Sequence, residues 1–591
     1  MRLTKNTVIG LAGLLAISIF SGSAPADPAP KAWPGADGFF GASGRFDRPQ
    51  SGFASPWTTL RRGAPEQVGL DPAPIRTALQ KVHAWTEPQG TAHAMFAGAV
   101  TLLVHDGVVV THDVTGHALR YADKAGTELP HEQWVPMRAD SIFDMASVSK
   151  LFTSIVVMQQ VEAGRVDLDT PVSRYVPEFA ANGKEAITVR RLLTHTSGLP
   201  SGLPLWRDWP DKPSRIKAAL EAKLLNAPGT KYLYSDLNLI TLGVLCERVS
   251  GRPLDVLVRE GITAPLGMVD TGYNPTARDR AAATEYEAIP PRGMVRGEVH
   301  DENAWSLGGV AGHAGVFSTA SDMAVLGQAL LNGGTYRGRR ILRASTVEQM
   351  LQDNNGAFPG NAHGLGFELD QMWYMDGLSS TRTAGHTGFT GTSFVVDFQS
   401  RSIAILLTNR VHPTRDWGSN NPSRRAIAQG LAQALAVRPL QGRDAWFSGV
   451  GDERTATLAT AELRPRGSGP VHATFHAFVD TEPTDTLLLE SSVDHGASWQ
   501  AVSARAYGVG APDASVTTLS GEGHRAWWFV DAALPQAQGL TLRWRYVTDK
   551  MYSGRGVYLD GIRVWDDGGI LLDGERDPQR FTTDGWLLKR D

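Results

Sequence analysis

The 591-residue chain contains a single cysteine, Cys246. One thiol excludes an intramolecular disulfide framework, a cysteine-ligated zinc ribbon and an iron–sulfur cluster, because each of these needs several thiolates. An excess of basic charge is also missing, since 57 Lys and Arg stand against 61 Asp and Glu and the formal net charge is -4. We therefore expect no nucleic-acid partner.

Long apolar runs are scarce, and the one that stands out lies at the N-terminus. Arg2 and Lys5 precede an apolar stretch from Val8 to Phe20, and small residues follow. This order is typical of a secretory signal, and the stretch is shorter than the ~20 residues that cross a bilayer. We expect residues 1–26 to be a signal peptide, a secreted or periplasmic location, and no transmembrane segment in the mature chain.

The composition divides the remaining chain into three parts. Residues 27–64 are rich in Pro, Gly, Ser and Ala and predict a linker or loosely docked arm. Residues 65–440 mix helix-like and strand-like patterns, whereas residues 441–591 contain short strand-like runs between Gly, Pro, Asp and Ser. The patterns predict an α/β (α+β) domain followed by an all-β sandwich.

Four segments of the larger domain have clear patterns. Residues 96–111 are two β runs around an Asp-Gly turn, and residues 394–408 form another strand pair. Residues 147–163 and 321–331 are predicted helices, the first of them apolar on nearly every face and therefore buried. Hairpins at both ends with helices between them predict one antiparallel sheet flanked by helices. In the sandwich, the predicted strands are residues 471–479, 486–490, 525–530, 540–547 and 557–564.

A serine and a lysine stand three residues apart at the start of an apolar helix, Ser147 and Lys150. This spacing places both on one helix face, where a neutral lysine can accept the serine proton. Helix N-terminal amides and a low-dielectric setting would lower the lysine pKa. Ser-x-x-Lys alone is a weak signal, because it recurs at Ser214 and Lys217, but that copy lies in a charged segment without an apolar helix behind it.

Two further motifs follow in a set order. Tyr234-Ser-Asp236-Leu-Asn238 comes about 90 residues after Ser147, and His386-Thr387-Gly388 opens a strand pair about 150 residues later. Ser-x-x-Lys, a tyrosine motif and a Lys/His-Thr-Gly strand in this order resemble the serine β-lactamase and penicillin-binding-protein superfamily. The tyrosine variant is similar to the class C β-lactamases, the D-alanyl-D-alanine peptidases and related esterases.

Supporting stretches extend the resemblance over residues 65–437. Residues 192–200, 300–304 and 308–318 also resemble this group, and the last two stretches are most similar to the penicillin-binding protein 4B type of carboxypeptidase. The resemblance implies the β-lactamase/DD-peptidase fold, an antiparallel sheet flanked by helices with a helical subdomain. It implies no cofactor and no metal.

The resemblance also implies roles for the motif residues. Ser147 would attack a carbonyl and form an acyl-enzyme, while Lys150 and Tyr234 share the proton that passes to the leaving group. The backbone amides of Ser147 and Phe389 would form the oxyanion hole. Asp236 stands where the family usually has Asn; it would orient Lys150 but hold it charged, which leaves the identity of the base open.

His386, with Thr387 and Gly388, is expected to line the substrate site. Many relatives have Lys or Arg at this position, where it binds a substrate carboxylate. A histidine with a pKa near 6.5 is only partly charged at pH 7, so we expect weaker, pH-dependent binding of a free carboxylate. Esters or amides without that carboxylate are then plausible substrates.

Other polar residues allow two interpretations. His195 is expected to be structural, and His313 is equally compatible with a loop lining the cleft and with a simple turn. His300, Asp301 and Glu302 are expected to be solvated loop residues, because no metal-binding histidine motif surrounds them. Cys246 lies in an apolar stretch and is expected to be a buried helix residue.

The C-terminal part resembles the MAM-like jelly-roll modules of secreted peptidases at residues 485–499 and 556–564. Asp560, Asp566 and Asp567 are expected to be turn residues in preference to calcium ligands. Aromatic residues on strands are more often core than sugar platforms; the tryptophans concerned are Trp499, Trp527, Trp528 and Trp544. We expect an accessory module for positioning or for contact with the cell wall or carbohydrate.

The sequence thus predicts a secreted hydrolase that works through an acyl-serine, of the D-Ala-D-Ala carboxypeptidase or β-lactamase type, acting on peptidoglycan peptides or β-lactams. The alternatives are an esterase on small acyl esters and a non-catalytic protein that recognises penicillin or the cell wall. The sequence leaves open which of these it is, the natural acyl substrate and the oligomeric state.

Overall fold

One sheet, antiparallel except for its first short strand, organises the chain up to residue 440 in the computed structural model, which describes residues 44–90, 92–521 and 524–590. The strands of this part are β1 (Arg61–Arg62), β2 (Gly98–His105), β3 (Val108–Leu119), β4 (Val135–Pro136), β5 (Phe143–Asp144), β6 (Gly272–Tyr273), β7 (Ala283–Glu287), β8 (Gly293–Arg296), β9 (Val316–Ser318), β10 (Thr335–Tyr336), β11 (Arg339–Arg340), β12 (Glu368–Leu369), β13 (Thr383–Thr387), β14 (Ser393–Asp397) and β15 (Ser402–Thr408). The large sheet has the order β1-β3-β2-β15-β14-β13-β12, with β4 beside β3. The predicted signal peptide lies outside the described residues.

The two predicted hairpins meet in this sheet. Asp106 and Gly107 connect β2 to β3 with φ angles of 46° and 76°, the left-handed conformation that a tight two-residue hairpin turn requires. Strand β15 then pairs antiparallel with β2, with Ala404 opposite Leu103. The prediction that the first and last strands share one sheet is therefore confirmed.

Helices cover both faces of the sheet. The helices are α1 (Pro72–Ala84), α2 (Ser149–Glu162), α3 (Val189–Leu193), α4 (Leu205–Asp208), α5 (Lys212–Leu220), α6 (Asp236–Ser250), α7 (Leu254–Val258), α8 (Ala264–Leu266), α9 (Glu302–Ser306), α10 (Ala320–Leu331), α11 (Ala344–Met350), α12 (Met372–Met375) and α13 (Asn421–Ala434). Along β2, Leu103 joins the core beneath α1 and α13, whereas Leu102 joins the core beneath α10. Side chains alternate between two covered faces, as in a fully buried strand. Among the described residues, no helix has both the length and the apolar character needed to cross a membrane.

The helix that carries the Ser-x-x-Lys motif is buried, as its apolar pattern predicts. Eleven of the fourteen residues of α2 are buried, and α2 packs against α6. Helix α6 ends at Gly251, whose φ of 69° provides a left-handed C-cap. Cys246 lies on the buried side of α6, and burial raises the pKa of its thiol. The cysteine is therefore a core residue.

Two antiparallel sheets form a C-terminal sandwich. Its strands are β16 (Ala445–Phe447), β17 (Thr455–Thr460), β18 (Val471–Asp480), β19 (Thr486–Ser492), β20 (Gln500–Ala501), β21 (Ala504–Tyr507), β22 (Trp527–Leu534), β23 (Thr541–Val547), β24 (Gly556–Asp566), β25 (Gly569–Asp573), β26 (Phe581–Asp584) and β27 (Leu587–Lys589). One sheet has the order β21-β22-β18-β24-β16-β27, with β25 beside β24, and the other the order β20-β19-β23-β17-β26. Trp528 and Trp544 are fully buried between the sheets, so they are core residues.

Strand β22 differs from the predicted strand at 525–530. It begins at Trp527 because Arg525 leaves the strand, with a φ of 52°, and enters a buried ion pair with Asp397 of β14. The Arg525 Nη1 to Asp397 Oδ2 distance is 2.7 Å, and neither side chain is exposed. The start of the strand is thus decided by a residue of the large sheet.

The sandwich and the large sheet share a hydrophobic core. Phe478 and Tyr558 of the sandwich pack in one cluster with Leu431 of α13 and Phe46 of the preceding segment. Phe46 is fully buried, so the start of the described segment packs against this core. The described residues form one compact unit.

Candidate active site

The serine of the first motif lies in a strained turn at the start of α2. Ser147 belongs to a 3-10 turn, Ala146–Val148, directly before the helix. Ala146 has a φ of 46°, and its amide donates to the buried carboxylate of Asp144 at 2.8 Å. A non-glycine residue in this conformation costs energy and persists only where the surroundings hold it. The turn leaves the Ser147 side chain half-buried at the edge of a cavity.

Lys150 is buried and fully engaged. Its Nζ lies 2.8 Å from Ser147 Oγ, 2.8 Å from Asp236 Oδ1 and 3.1 Å from the His313 carbonyl oxygen. An ammonium group has three donors, so these contacts use all of them. The predicted contact between serine and lysine is present, one helical turn apart.

The expected lowering of the Lys150 pKa is wrong. Burial does act to lower it, but the negative charge of Asp236, followed by interactions with Tyr234, outweighs burial and raises the Lys150 pKa above its ordinary value. Helix N-terminal amides cannot compete with a carboxylate at 2.8 Å. Lys150 is therefore a cation, as the Asp at position 236 implied.

Tyr234 lies beside this pair, two residues before α6. The Lys150 Nζ is 4.8 Å from the centre of the Tyr234 ring, and the phenol interacts with both Lys150 and Ser147. Burial, opposed by the Lys150 charge, raises the Tyr234 pKa to about 12. The structure thus brings Ser147, Lys150 and Tyr234 together, with the tyrosine as a neutral phenol.

His195 holds the tyrosine segment in place. Its Nδ1 accepts hydrogen bonds from the Ser235 amide at 3.1 Å and from Asn238 Nδ2 at 3.0 Å. Its ring packs on the Tyr234 ring with centres 4.6 Å apart, and burial lowers the His195 pKa well below its ordinary value. His195 and Asn238 therefore act as structural supports.

The third motif forms the opposite wall of the cavity. His386 and Thr387 end β13, and the Gly388 amide donates to the Thr392 carbonyl at 2.8 Å. A Cβ on Gly388 would lie 2.5 Å from the Met145 carbonyl, so only glycine lets this loop approach the nucleophile turn. The Phe389 side chain is 50% exposed.

Two backbone amides are available at the serine. Within the described residues, neither the Ser147 amide nor the Phe389 amide donates to a protein acceptor. Unpaired amides at a cavity are the groups that an oxyanion hole requires. Both amides are therefore free to act as the donors that the resemblance implies.

The expected partial charge of His386 is wrong. His386 is 2% exposed, and burial followed by the charge of Lys150 lowers its pKa to about 3. Its Nδ1 contacts the Thr387 carbonyl oxygen at 2.8 Å. The ring is neutral at pH 7, so it offers no charge to a substrate carboxylate.

Two arginines supply positive charge to the cavity instead, and neither belongs to a recognised motif. Arg424 of α13 donates to the Gly388 carbonyl at 2.7 Å, and burial lowers its pKa only to about 10. Arg410, after β15, stacks on the Phe389 ring. Both line the cavity of about 410 Å³ in front of Ser147, together with Glu368, whose pKa burial raises to about 7. Both arginines lie outside the three motifs in the sequence, so the motifs did not indicate them.

His300 is buried and Asp301 and Glu302 are paired, whereas all three were expected to be solvated loop residues. His300 is buried, with its Nε2 2.9 Å from Glu285 Oε2 and its amide donating to Asp144 at 2.6 Å. Asp301 caps α9 by accepting from the Ala304 amide at 2.7 Å. The loop is folded against the nucleophile turn, which explains why its polar residues are paired.

The second Ser-x-x-Lys copy has a different role. Ser214 forms a capping box with Asp211 at the start of α5, and its Oγ donates to the Asp211 carbonyl. Lys217 is exposed and lies 4.0 Å from Glu221. Ser214 is therefore a helix cap.

Within the described residues, three clusters of Asp, Glu and His side chains are spaced closely enough to hold a metal ion. Asp236, Asp301 and His313 form one, but Lys150 already neutralises Asp236. Glu285, Glu287 and His300 form another, which is paired with Arg415 and Arg292. The third lies in the sandwich and consists of Glu482, Asp485 and Asp549. Internal cations satisfy the first two groups.

A serine, a lysine and a tyrosine that meet at a cavity beside strand β13 of the large sheet are the arrangement expected of hydrolases that form an acyl-serine. Residues 85–429, more than half of the chain, match the family model described as Beta-lactamase. The chain therefore belongs to the β-lactamase family.

Similar proteins carry several names. "Putative D-alanyl-D-alanine carboxypeptidase" of Salmonella paratyphi B is 31% identical over 402 residues, covering 61% of this chain and 88% of the relative, and the protein of Salmonella typhi gives the same values. Among solved structures, EstCE1, a hydrolase with promiscuous acyltransferase activity, is 23% identical with a TM-score of 0.49, covering 61% and 99% of the two chains. A penicillin-binding protein homolog from Caulobacter crescentus is 23% identical with a TM-score of 0.47, covering 62% and 99%.

Proposed function

We propose that this protein is an exported serine hydrolase that forms an acyl-enzyme on Ser147 and acts as a D-Ala-D-Ala carboxypeptidase or β-lactamase. The observation that carries the proposal is the 2.8 Å contact between Ser147 Oγ and Lys150 Nζ at a cavity of about 410 Å³. Export rests on the N-terminal sequence pattern alone.

The chemistry follows from the contacts of Ser147. Its Oγ attacks the substrate carbonyl carbon, a C–O bond forms, and the Oγ proton leaves through Lys150 or Tyr234, which both contact it. The Ser147 and Phe389 amides donate hydrogen bonds to the developing oxyanion. The tetrahedral intermediate expels the leaving group, which takes up a proton, and water then releases the acyl group.

The charge of Lys150 sets the route of the proton. Because Asp236 holds Lys150 as a cation, Lys150 accepts the Ser147 proton only after passing one of its own to the Asp236 carboxylate. Tyr234 is a neutral phenol, so it serves as donor to the leaving group. The two residues thus act as one proton-sharing unit.

The cavity favours a substrate with a free carboxylate. Arg410 and Arg424 line the cavity and supply positive charge, and carboxylates are the preferred partners of such groups. A D-alanyl peptide and a β-lactam both carry this carboxylate next to the scissile amide. The neutral His386 favours the second candidate, an esterase on small acyl esters, because it adds no charge.

Covalent labelling tests the proposal. A fluorescent penicillin or fluorophosphonate is expected to label the wild type and to fail with Ser147→Ala. Ser214→Ala is the matched control, because it removes the serine of the other Ser-x-x-Lys copy and is expected to leave labelling intact. Absence of label on folded wild-type protein would refute the proposal.

A substrate panel separates the two candidates. We expect kcat/KM to be higher for a D-Ala-D-Ala peptide or a chromogenic cephalosporin than for a p-nitrophenyl ester, relative to the uncatalysed rates. The reverse order would favour the esterase.

A further inference from the structure

A second carboxylate lies next to Asp236, the residue that replaces the usual asparagine. Oxygen atoms of Asp236 and Asp301 and a ring nitrogen of His313 all lie within 4.8 Å of one another. Asp236 at the start of α6 and Asp301 before α9 come from segments 65 residues apart in the sequence, so only the fold brings them together. Two carboxylates this close repel each other unless a donor compensates one of them.

His313 is that donor. Its Nε2 lies 2.9 Å from Asp301 Oδ1, and the His313 side chain is 1% exposed. The charge and hydrogen bond of His313 keep the Asp301 pKa below its ordinary value, although burial acts to raise it. Asp301 also accepts from the Ala304 amide, so its position is fixed from two sides.

The backbone of the same residue contacts the catalytic lysine. The His313 carbonyl oxygen accepts from Lys150 Nζ at 3.1 Å, and Asp236 Oδ1 accepts from the same Nζ at 2.8 Å. Without His313, the Asp301 carboxylate would compete with Asp236 for the lysine or push Asp236 away from it. Either displacement would move Lys150 relative to Ser147.

We propose that His313 and Asp301 are positioning residues for the acylation machinery, and that the His313 ring donates a hydrogen bond to Asp301 so that the Asp236 carboxylate remains on Lys150. An asparagine at 236 carries no charge, so it needs no such compensation. The pair therefore matters because this chain has Asp at position 236. The inference rests on the proposed acylation of Ser147.

A double-mutant cycle tests the inference. His313→Leu removes the ring donor and is expected to lower the second-order rate of labelling by a fluorescent penicillin about tenfold, in kcat more than in KM for a chromogenic cephalosporin. In the Asp236→Asn background, the same change is expected to cost less than about threefold. Equal losses in both backgrounds would overturn the inference.

Two further variants keep the result interpretable if His313→Leu folds poorly. His313→Gln retains an N–H donor and is expected to restore most of the rate. Adding Asp301→Asn to His313→Leu removes the uncompensated charge and is expected to restore rate as well. Failure of both rescues in folded protein would contradict the inference.

His412→Leu is the matched control. His412 is also fully buried, and its Nε2 accepts from the Arg120 amide at 3.0 Å, but it contacts neither Asp236 nor Asp301. Its effect is expected to be the same in the wild-type and Asp236→Asn backgrounds. If the effect of His412→Leu also depended on the residue at position 236, the coupling measured for His313 would not be specific, and the inference would be contradicted.

The same cycle can be read by thermal unfolding, which separates the two proposals. Absence of labelling in folded wild type refutes the proposed function. The coupling between positions 313 and 236 is then measured in Tm, where His313→Leu is expected to lower Tm more with Asp236 than with Asn at that position. Additive Tm changes would refute the inference by themselves.

Discussion

At the scale of single residues, burial and nearby charge set the chemistry of the site. Lys150 and His386 are both almost inaccessible, yet their pKa values move in opposite directions. A carboxylate at 2.8 Å raises the pKa of the lysine, whereas burial and the positive charge of the lysine lower the pKa of the histidine. Lys150 is therefore a cation, whereas the His386 ring is neutral.

Because His386 is neutral, we expect it to contribute nothing to the pH dependence of kcat/KM. Since its pKa is lowered to about 3, His386→Asn is expected to leave the shape of the kcat/KM profile unchanged between pH 5 and 9. A wild-type inflection near pH 6.5 that His386→Asn abolishes would contradict this.

The same shift affects stability. The folded state binds fewer protons at His386 than the unfolded state, so the ring's contribution is complete above pH 6.5 and is lost as pH falls toward 3. Between pH 7 and 4, the wild type is expected to lose about 3 kcal/mol more unfolding free energy than His386→Asn in urea titrations. An equal loss in both proteins would count against a neutral buried ring.

Arg410 makes a prediction for specificity. It stacks on Phe389 at the cavity, so Arg410→Gln is expected to lower kcat/KM about tenfold for a peptide ending in a free carboxylate. The same peptide with an amidated C-terminus is the control and should change less than about twofold. Equal losses of kcat/KM on both peptides would show that Arg410 does not bind the substrate carboxylate.

At the scale of elements, the loop after β13 is fastened to the turn before α2. Thr390 Oγ1 donates to the Asp144 carbonyl at 2.7 Å, and Thr392 Oγ1 donates to the Met145 carbonyl at 3.2 Å. These bonds hold the Phe389 amide beside Ser147. The spacing of the two oxyanion donors is therefore a property of two joined elements.

A substitution at Gly388 tests whether the contact between the loop after β13 and the turn before α2 is needed for activity. A Cβ there would lie 2.1 Å from Thr392 Oγ1 and 2.5 Å from the Met145 carbonyl oxygen, so Gly388→Ala must push the loop from the turn. Because an oxyanion donor is typically worth 10² to 10³ in kcat, we expect a loss of about 100-fold. Gly202→Ala, where a Cβ meets nothing within 4 Å, is the control, and equal kcat for both variants would disprove the junction.

At the scale of the whole molecule, the sandwich is built into the hydrolase part. Besides the shared core, Arg555 donates to Gln433 Oε1 of α13 at 2.8 Å, and Arg525 pairs with Asp397 of β14 at 2.7 Å. Asp397 also accepts from Ser400 and Thr383 within its own sheet. The sandwich thus packs against the same domain that contains the candidate active site.

The Arg525–Asp397 pair predicts strong coupling between the two parts. Arg525→Met leaves a buried carboxylate without its cation, and we expect a destabilisation of about 3–5 kcal/mol in urea unfolding. Adding Asp397→Asn should recover part of it. Arg590→Met, which breaks an exposed ion pair with Asp444, is the control and should leave the midpoint nearly unchanged, whereas equal effects would contradict the coupling.

Local patterns in the sequence determined much of the architecture. The Asp106-Gly107 hairpin, the buried helix α2 and the strands after residue 440 follow from turn chemistry and periodicity, which act over a few residues. The contact of Ser147 with Lys150 follows from helical spacing in the same way. The order of the tyrosine and His-Thr-Gly motifs indicated the family.

The tertiary structure alone decided the charges and the wider surroundings of the site. The Arg525–Asp397 ion pair and the arginines at the cavity join segments that no local pattern connects, and the burial that lowers the His386 pKa exists only in the folded chain. The sequence therefore determined which residues could react. The fold determined their protonation and their partners, because both depend on desolvation and on distances across the chain.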